Sequence, residues 1–349
     1  MADIQTTRSR APLRLGLAGG GTDLSPYADI YGGAVLNLTI DRYAFASITP
    51  REDGRLRFEA HDIGETREYD VNDDLSNSEL LLHRGVYERM IRDYNGGQRI
   101  AMTLTTTVDA PMGSGLGSSS ALVVALVDAF RELLSAPLGE YDVARLAFDI
   151  ERVDLKLAGG RQDQYAAAFG GLNFIEFLAE ERVIVNPLRL RRDIRNELES
   201  SLITCFSGRS RESAHIIDMQ TSELGKGTAK TIEAMHTLKD GAITMKRLLF
   251  SGDIPGMAEL LNESWLAKKA TASGVSNPHI DELYELALRN GALGGKVSGA
   301  GGGGFMFFIA SPDQRYRLIE ALENAHATAN PVKFNDVGVE TWRPPMPAR

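Results

Sequence analysis

Pro111-Met-Gly-Ser-Gly-Leu-Gly-Ser-Ser-Ser-Ala121 is the stretch whose reading decides the fold of this chain. Gly113, Gly115 and Gly117 alternate with Ser114 and Leu116, and Ser118, Ser119 and Ser120 then run into Ala-Leu-Val-Val-Ala-Leu-Val-Asp-Ala-Phe. The apolar run predicts a helix over 118–135, so the glycines form a loop that feeds a helix N-terminus. Such a terminus presents unpaired N–H groups and the positive end of the helix dipole, and it receives an anion. Glycines let a phosphate approach the backbone. The serines add hydroxyls for phosphate oxygens or a divalent cation. The stretch therefore reads as a site for a nucleotide triphosphate. The bland alternative is a glycine–serine turn that merely opens a buried helix.

Neither common nucleotide fingerprint fits. A Walker A loop needs Gly-x-x-x-x-Gly-Lys-Ser/Thr, and no lysine follows these glycines. Gly113-x-Gly115-x-Gly117 breaks the G-x-G-x-x-G spacing of a dinucleotide fold, which argues against an oxidoreductase.

Outward from the loop, 100–108 alternates and is rich in β-branched residues, which predicts a strand. A helix over 80–94 stops at Asn95-Gly96-Gly97. Strands are predicted at 8–18, 35–40, 43–49 and 55–60. Beyond the loop come a helix at 141–157 and strands at 172–177, 182–187 and 202–206. A helical tract runs from about 212 to 291. Strands at 293–298 and 304–310 flank a glycine turn, followed by a helix at 311–327 and a last strand at 332–337. Strands and helices come in runs, which favours an α+β fold. The expected division is into domains 1–190 and 191–349, with a cleft between them.

The chain has 349 residues, 43% apolar and 24% charged, as in a soluble globular protein. A formal net charge of −9 gives no electrostatic footprint for nucleic acid. No apolar run approaches the ~18 residues of a membrane span, and the N-terminus lacks the apolar core of a signal peptide. Cys205 is the sole cysteine, which agrees with a reducing cytoplasm. Its apolar setting predicts a buried strand residue. A monomer or a homodimer fits equally.

Three further segments carry chemistry. Ala11-Pro-Leu-Arg-Leu-Gly-Leu-Ala-Gly-Gly-Gly-Thr-Asp23 runs from a strand into glycines. Gly20, Gly21, Thr22 and Asp23 suit a polyhydroxyl ligand, since a carboxylate accepts directed hydrogen bonds from hydroxyls. Asp23 as a helix cap is the alternative. Glu151 is followed twelve residues later by Asp163 in Gly159-Gly-Arg-Gln-Asp-Gln-Tyr165. Phosphoryl transfer to a hydroxyl needs one carboxylate near the attacking oxygen and another to help hold Mg²⁺. Taken alone, Glu151 also fits a solvated helix face. Lys296-Val-Ser-Gly-Ala-Gly-Gly-Gly-Gly-Phe305 marks a close backbone approach or a bulged hairpin turn.

Together, in this order, 11–23, 111–121 and 296–305 resemble the signature motifs of the GHMP kinase superfamily. The resemblance implies that fold, with ATP and Mg²⁺. Pro111 and 113–120 would wrap the ATP phosphates, and Ser120 and Glu151 would bind Mg²⁺. Asp163, in a loop ahead of an Ala-rich helix, would act as base on the acceptor hydroxyl. Arg14 would lie beside Asp163 and the moving phosphoryl, keeping Asp163 ionised. Gly301 and Gly302 would help close the site.

Galactokinases read Gly-Glu-His-Thr-Asp where this chain has Gly19-Gly-Gly-Thr-Asp23, which argues against galactose. Segments 18–33 and 159–177 are instead similar to the D-glycero-D-manno-heptose 7-phosphate kinases and the related fucokinase domains. That resemblance implies phosphorylation of an anomeric hydroxyl, with a heptose 1,7-bisphosphate product on the route to GDP-heptose for surface polysaccharide. The rivals are another sugar 1-kinase and a sugar- and ATP-sensing protein without catalysis. A sugar phosphate needs a second anion site. Gly208-Arg-Ser-Arg-Glu-Ser213 offers Arg209, Arg211 and Ser213 at a helix start, unless it is an ordinary capped start. Arg161 and Gln162, beside Asp163, are further substrate candidates.

Overall fold

A computed structural model describes residues 5–208, 213–225, 229–272 and 274–345. The chain opens with β1 (Thr7–Ala18), a short α1 (Tyr27–Tyr31), the long β2 (Gly33–Pro50), β3 (Arg55–Ala60) and β4 (Glu65–Asp70). Then follow α2 (Leu81–Tyr94), β5 (Met102–Val108), α3 (Ser118–Leu134), α4 (Glu140–Asp149) running into a π-helical turn (Ile150–Asp154), α5 (Gln162–Phe169), β6 (Leu172–Phe177) and β7 (Val183–Pro187). The remainder is α6 (Arg192–Ser201), β8 (Leu202–Phe206), α7 (Ser213–Gly225), α8 (Ala229–Ser251), α9 (Ile254–Lys269), α10 (Pro278–Arg289), β9 (Ala292–Val297), β10 (Phe305–Ala310), α11 (Arg315–Asn324), β11 (Thr328–Pro331) and β12 (Glu340–Trp342). Among the described residues, no helix is long and apolar enough to cross a membrane.

Two sheets organise these elements. The larger runs β12-β1-β2-β5-β3-β4, with β6 and β7 continuing from the first half of β2. Its β2 is a single strand where two were expected. The front half, Gly33–Leu38, pairs β6 and the back half, Ala44–Pro50, pairs β5. Only β3 and β5 run parallel. The smaller sheet, β11-β8-β10-β9, is antiparallel throughout. β12 brings the end of the chain back to β1, where Arg10 pairs with Glu340 at 2.7 Å.

Helix α3 is apolar nearly all round, so it must be enclosed. It lies on β1 and β2 with α2, α4 and α5 around it, and this fixes the height of its N-terminus over the sheet. Its buried Asp128 is paired with Arg131 at 2.7 Å and bonded by the Thr341 hydroxyl, which ties down β12. The smaller sheet has its own core, built by Ile203, Phe308, Leu318 and Trp265. Cys205 lies within it on β8, and burial pushes its thiol up to about 12, as expected of an inert strand residue.

Several elements depart from expectation. α6 was not foreseen, because its apolar signal is only Ile194 and Leu198, four residues apart in a charged sequence. The strand β4 was missed because its residues alternate between half-buried and exposed, with no apolar face. The strand expected at 332–337 does not form. That segment crosses the ends of other elements, bonding through Asp41 N to Lys333 O and Asn335 N to Thr39 O, with one bridge between Phe334 and Ile40. β11 pairs with β8 in its place.

His83 is buried against Phe58, and its Nε2 shares a 2.9 Å hydrogen bond with the Thr106 hydroxyl. Burial lowers its pKa from 6.5 to about 4. The unfolded chain therefore binds a proton between pH 6.5 and 4 that the native state refuses. Stability is complete above pH 6.5 and declines as pH falls toward 4, by up to about 3 kcal/mol. Urea midpoints measured at pH 7 and pH 5 should diverge for the wild type and converge for His83→Asn.

Candidate active site

Two glycine ribbons meet edge to edge. Between β5 and α3, Gly113, Gly115 and Gly117 take φ of 73°, 85° and 75°, a region that favours glycine. Between β9 and β10, the ribbon 298–304 packs directly on this loop. Phe305 N donates to Ser114 O at 2.8 Å, and the Ser298 hydroxyl donates to Gly115 O at 2.8 Å. A Cβ on Gly115 would stand 2.4 Å from Ser298 O, and one on Gly304 would stand 2.2 Å from Ser114 O. Mutual contact between the ribbons therefore accounts for much of the glycine content.

The result is a cleft of about 450 Å³. Gly113, Gly115, Gly117, Ser118, Ser119 and Ser120 line one part of it, at the N-terminus of α3. Arg14, Gly21, Asp23, Gln162 and Asp163 line another, with Glu151 and the Gly299–Ala300 step also facing in. Pro111, Ser114 and Leu116 do not line it. Pro111 O accepts from Ser114 N at 3.1 Å and from the Ser118 hydroxyl at 3.3 Å, and Leu116 O accepts from Arg14 N at 2.9 Å. These three shape the loop from behind.

Asp163 is placed by two contacts from distant sequence. Arg14, buried on β1, donates from Nε at 2.8 Å and approaches from Nη2 at 2.6 Å, both to Oδ1. Its Nη1 donates to Gly115 O at 2.5 Å, so one guanidinium ties the carboxylate to the serine loop. The second oxygen, Oδ2, lies toward Gly117, whose added Cβ would stand 3.3 Å from it. Asp163 is not in a loop, as expected, but in the first turn of α5.

Asp23 fixes that turn. Its Oδ2 accepts from Arg161 N at 2.9 Å and Gln162 N at 3.1 Å, and its Oδ1 accepts from Gly21 N. This caps α5 from another segment, so the capping alternative applies to a helix far along the chain. Gly160 lies so close that a Cβ there would stand 1.9 Å from Asp23 Oδ2. Gly160→Ala should displace Asp23, tilt Asp163 and lower kcat by about a hundredfold, with a lower Tm. A steady-state assay beside a thermal melt checks both.

Ser120 and Glu151 are also brought together. Gln164 Nε2 donates to Glu151 Oε2 at 2.5 Å and to the Ser120 hydroxyl at 3.1 Å. Glu151 is buried in the π-helical turn, and its nearest cation, Arg152, is 3.6 Å away. Other expected residues face elsewhere. The Thr22 hydroxyl bonds Gly19 O and Ala34 O and holds the first ribbon to β2. The Arg161 side chain bonds Ser25 and Asp29 beside α1. Gly301 and Gly302 pack on Val275, and Gly302 N donates to Val275 O at 2.7 Å. Gly20 reaches the cleft rim only through its carbonyl, 3.4 Å from Lys268 Nζ. Arg209, Arg211 and the Ser213 side chain lie outside the described residues.

Lys268 is among the cleft residues that sequence reasoning missed, with Arg152 and Gln220. It comes from the last turn of α9, is 4% exposed and lines the cleft. Burial lowers its pKa to about 8, against the pull of Asp23 and Asp163. Its neighbour Lys269 has the same letter and points to Asp281 on α10, so no local signal separates the two.

The GHMP kinases N terminal domain matches residues 81–171, and the GHMP kinases C terminal domain matches 245–328. The D-glycero-alpha-D-manno-heptose 7-phosphate kinase of Campylobacter jejuni is 45% identical over 341 residues, 97% of this chain and 100% of the relative. The chain belongs to the GHMP kinase family. The expected superfamily and its α+β architecture are thereby established, and with them a phosphotransferase that uses ATP. A crystal structure titled as a D-glycero-D-manno-heptose 1-phosphate kinase, from Bacteroides thetaiotaomicron, superposes on this GHMP kinase with a TM-score of 0.82 at 43% identity, covering 97% of this chain and 100% of that one. Lactococcus lactis galactokinase, at 18% identity and a TM-score of 0.75 over 96% of this chain and 95% of its own, shares the fold.

Proposed function

We propose that this GHMP kinase transfers the γ-phosphoryl of ATP to the anomeric C1 hydroxyl of D-glycero-D-manno-heptose 7-phosphate, giving the 1,7-bisphosphate and ADP. We take 1–190 and 191–349 as its domains, with nucleotide and sugar meeting between them. The substrate class rests on the full-length relatives, whose names carry heptose phosphate. The chemistry rests on one observation: a carboxylate held by a buried arginine opens onto the same cleft as the N-terminus of α3.

In this reading the lining residues Gly113, Gly115, Gly117, Ser118, Ser119 and Ser120 bind the nucleotide phosphates. Asp163 Oδ2, left open by Arg14, takes the C1 hydroxyl proton as that oxygen attacks phosphorus and the bond to ADP breaks. Arg14 orients Asp163 and offsets charge on the transferring group. Ser120 and Glu151 offer hard oxygen donors suited to Mg²⁺, and Gln164 already holds the two side chains together. Bound there with ATP, the ion would supply charge neutralisation for the phosphates. Asp23 acts by holding α5 in place.

A substrate panel tests the proposal. Heptose 7-phosphate, unphosphorylated heptose, mannose and fucose are compared by kcat/KM, with ³¹P NMR of the product. The expected result is a clear preference for the first, with phosphate added at C1. Fucose as the best acceptor would overturn it in favour of a fucokinase. No transfer to any sugar would favour a sensor.

A further inference from the structure

Lys268 and Lys296 are two buried lysines that the reaction scheme above does not use. Lys268 is nearly sealed from solvent, and among the described residues its ammonium has one hydrogen bond, the 3.4 Å contact to Gly20 O. An ammonium carries three donors, so two remain unmatched at the cleft wall. Lys296, on β9, is equally buried and lies off the cleft lining. Its Nζ lies 6.0 Å from the Phe307 ring centroid. Each lysine lowers its own charged form through burial, and Lys296 is further lowered by Lys268 and Arg14.

The nearby acceptors are already in use. Arg14 is committed to Asp163 and Gly115 O. Asp23 faces Lys268, but its oxygens already accept three backbone N–H groups. The ammonium of Lys268 thus lacks matched acceptors, in a place where unmatched donors are costly. An apolar side chain would fill the same volume without that cost. A hydroxyl would satisfy one donor and leave the charge. A phosphate supplies several strong acceptors and a negative charge for the ammonium.

The contact of Lys268 is with the first glycine ribbon, beside Gly21, Asp23 and Gln162, and not with the serine loop. We infer that Lys268, on the cleft wall, binds the phosphate group that the acceptor sugar already carries. This rests on the proposed function and names the part of the cleft that reads the substrate's second end.

The test is a quotient: kcat/KM for heptose 7-phosphate divided by kcat/KM for the same heptose without phosphate. Lys268→Met and Lys268→Gln should each lower it by about thirtyfold, the size of one lost charge-assisted hydrogen bond, through KM for the phosphorylated sugar. Lys268→Arg should recover most of it. A quotient within threefold of wild type in both variants overturns the inference, whether both sugars suffer equally or neither does. Arg211→Ala is run in parallel; if it alone lowers the quotient, the phosphate sits at 208–213 and the inference is again overturned. A thermal melt shows whether each variant is folded, and Lys268→Met should melt no lower than wild type. A wild-type quotient near one defeats the proposed function and this inference together. A high wild-type quotient that survives Lys268→Met and Lys268→Gln defeats this inference alone.

Discussion

Asp163→Asn lowers kcat by about 10³- to 10⁴-fold while ATP binding stays within about threefold of wild type. The side chain keeps its shape, and its carbonyl can still accept from Arg14 Nε, now 2.8 Å from Oδ1. The second position changes from an acceptor to an NH₂ donor, so nothing there can take a proton from the acceptor hydroxyl. The nucleotide ribbon does not depend on that oxygen. Its own bonds run to Pro111, Ser298 and Phe305. Single-turnover kinetics would read the chemical step, and calorimetry with a non-hydrolysable ATP analogue would read binding. A kcat near wild type would remove Asp163 from the role of base.

Arg14→Met is the second large effect. It removes the cation beside Asp163, the donor to Gly115 O and the charge near the transferring phosphoryl at once. We expect kcat to fall by about 10³-fold, as when a preorganised charge-stabilising donor is lost. Stability should fall by about 2 kcal/mol. That figure is below the usual value for breaking a buried pair, because the Asp163 side chain is 24% exposed and water can screen it. Arg14→Lys separates charge from geometry: it keeps the cation but cannot approach Oδ1 and Gly115 O with one rigid fork. It should recover about tenfold of the lost rate. Combined with Asp163→Asn, Arg14→Met should cost far less than the two losses multiplied, since the residues act as a unit. Equal rates for Arg14→Met and wild type would show that the guanidinium only supports the fold.

Much of the site was legible in the chain because its signals are local. A run of glycines marks close backbone approach wherever the chain goes, and an apolar run after Ser118–Ser120 must be buried. The other side of the cleft was less legible. Asp23 was read as a hydroxyl acceptor, yet its Oδ2 is taken by backbone N–H groups nearly 140 residues away and its Oδ1 by Gly21 N. Thr22 and Arg161 were read as substrate contacts and serve the fold. Gln164, which joins Ser120 to Glu151, carries no motif that would single it out.

The order and spacing of residues alone determined that this protein has close-approaching glycine ribbons, a serine-rich helix start and carboxylates near them in the chain. Which charges meet was decided only by tertiary structure. Arg14 and Asp163 are 149 positions apart and touch because α5 packs on β1. Lys268 enters the cleft, and Lys269 does not, because of the helical phase at which α9 rests on β9 and β1. Local patterns report a residue's own backbone, whereas an ion pair in a cleft depends on the rigid placement of elements that share no sequence neighbourhood.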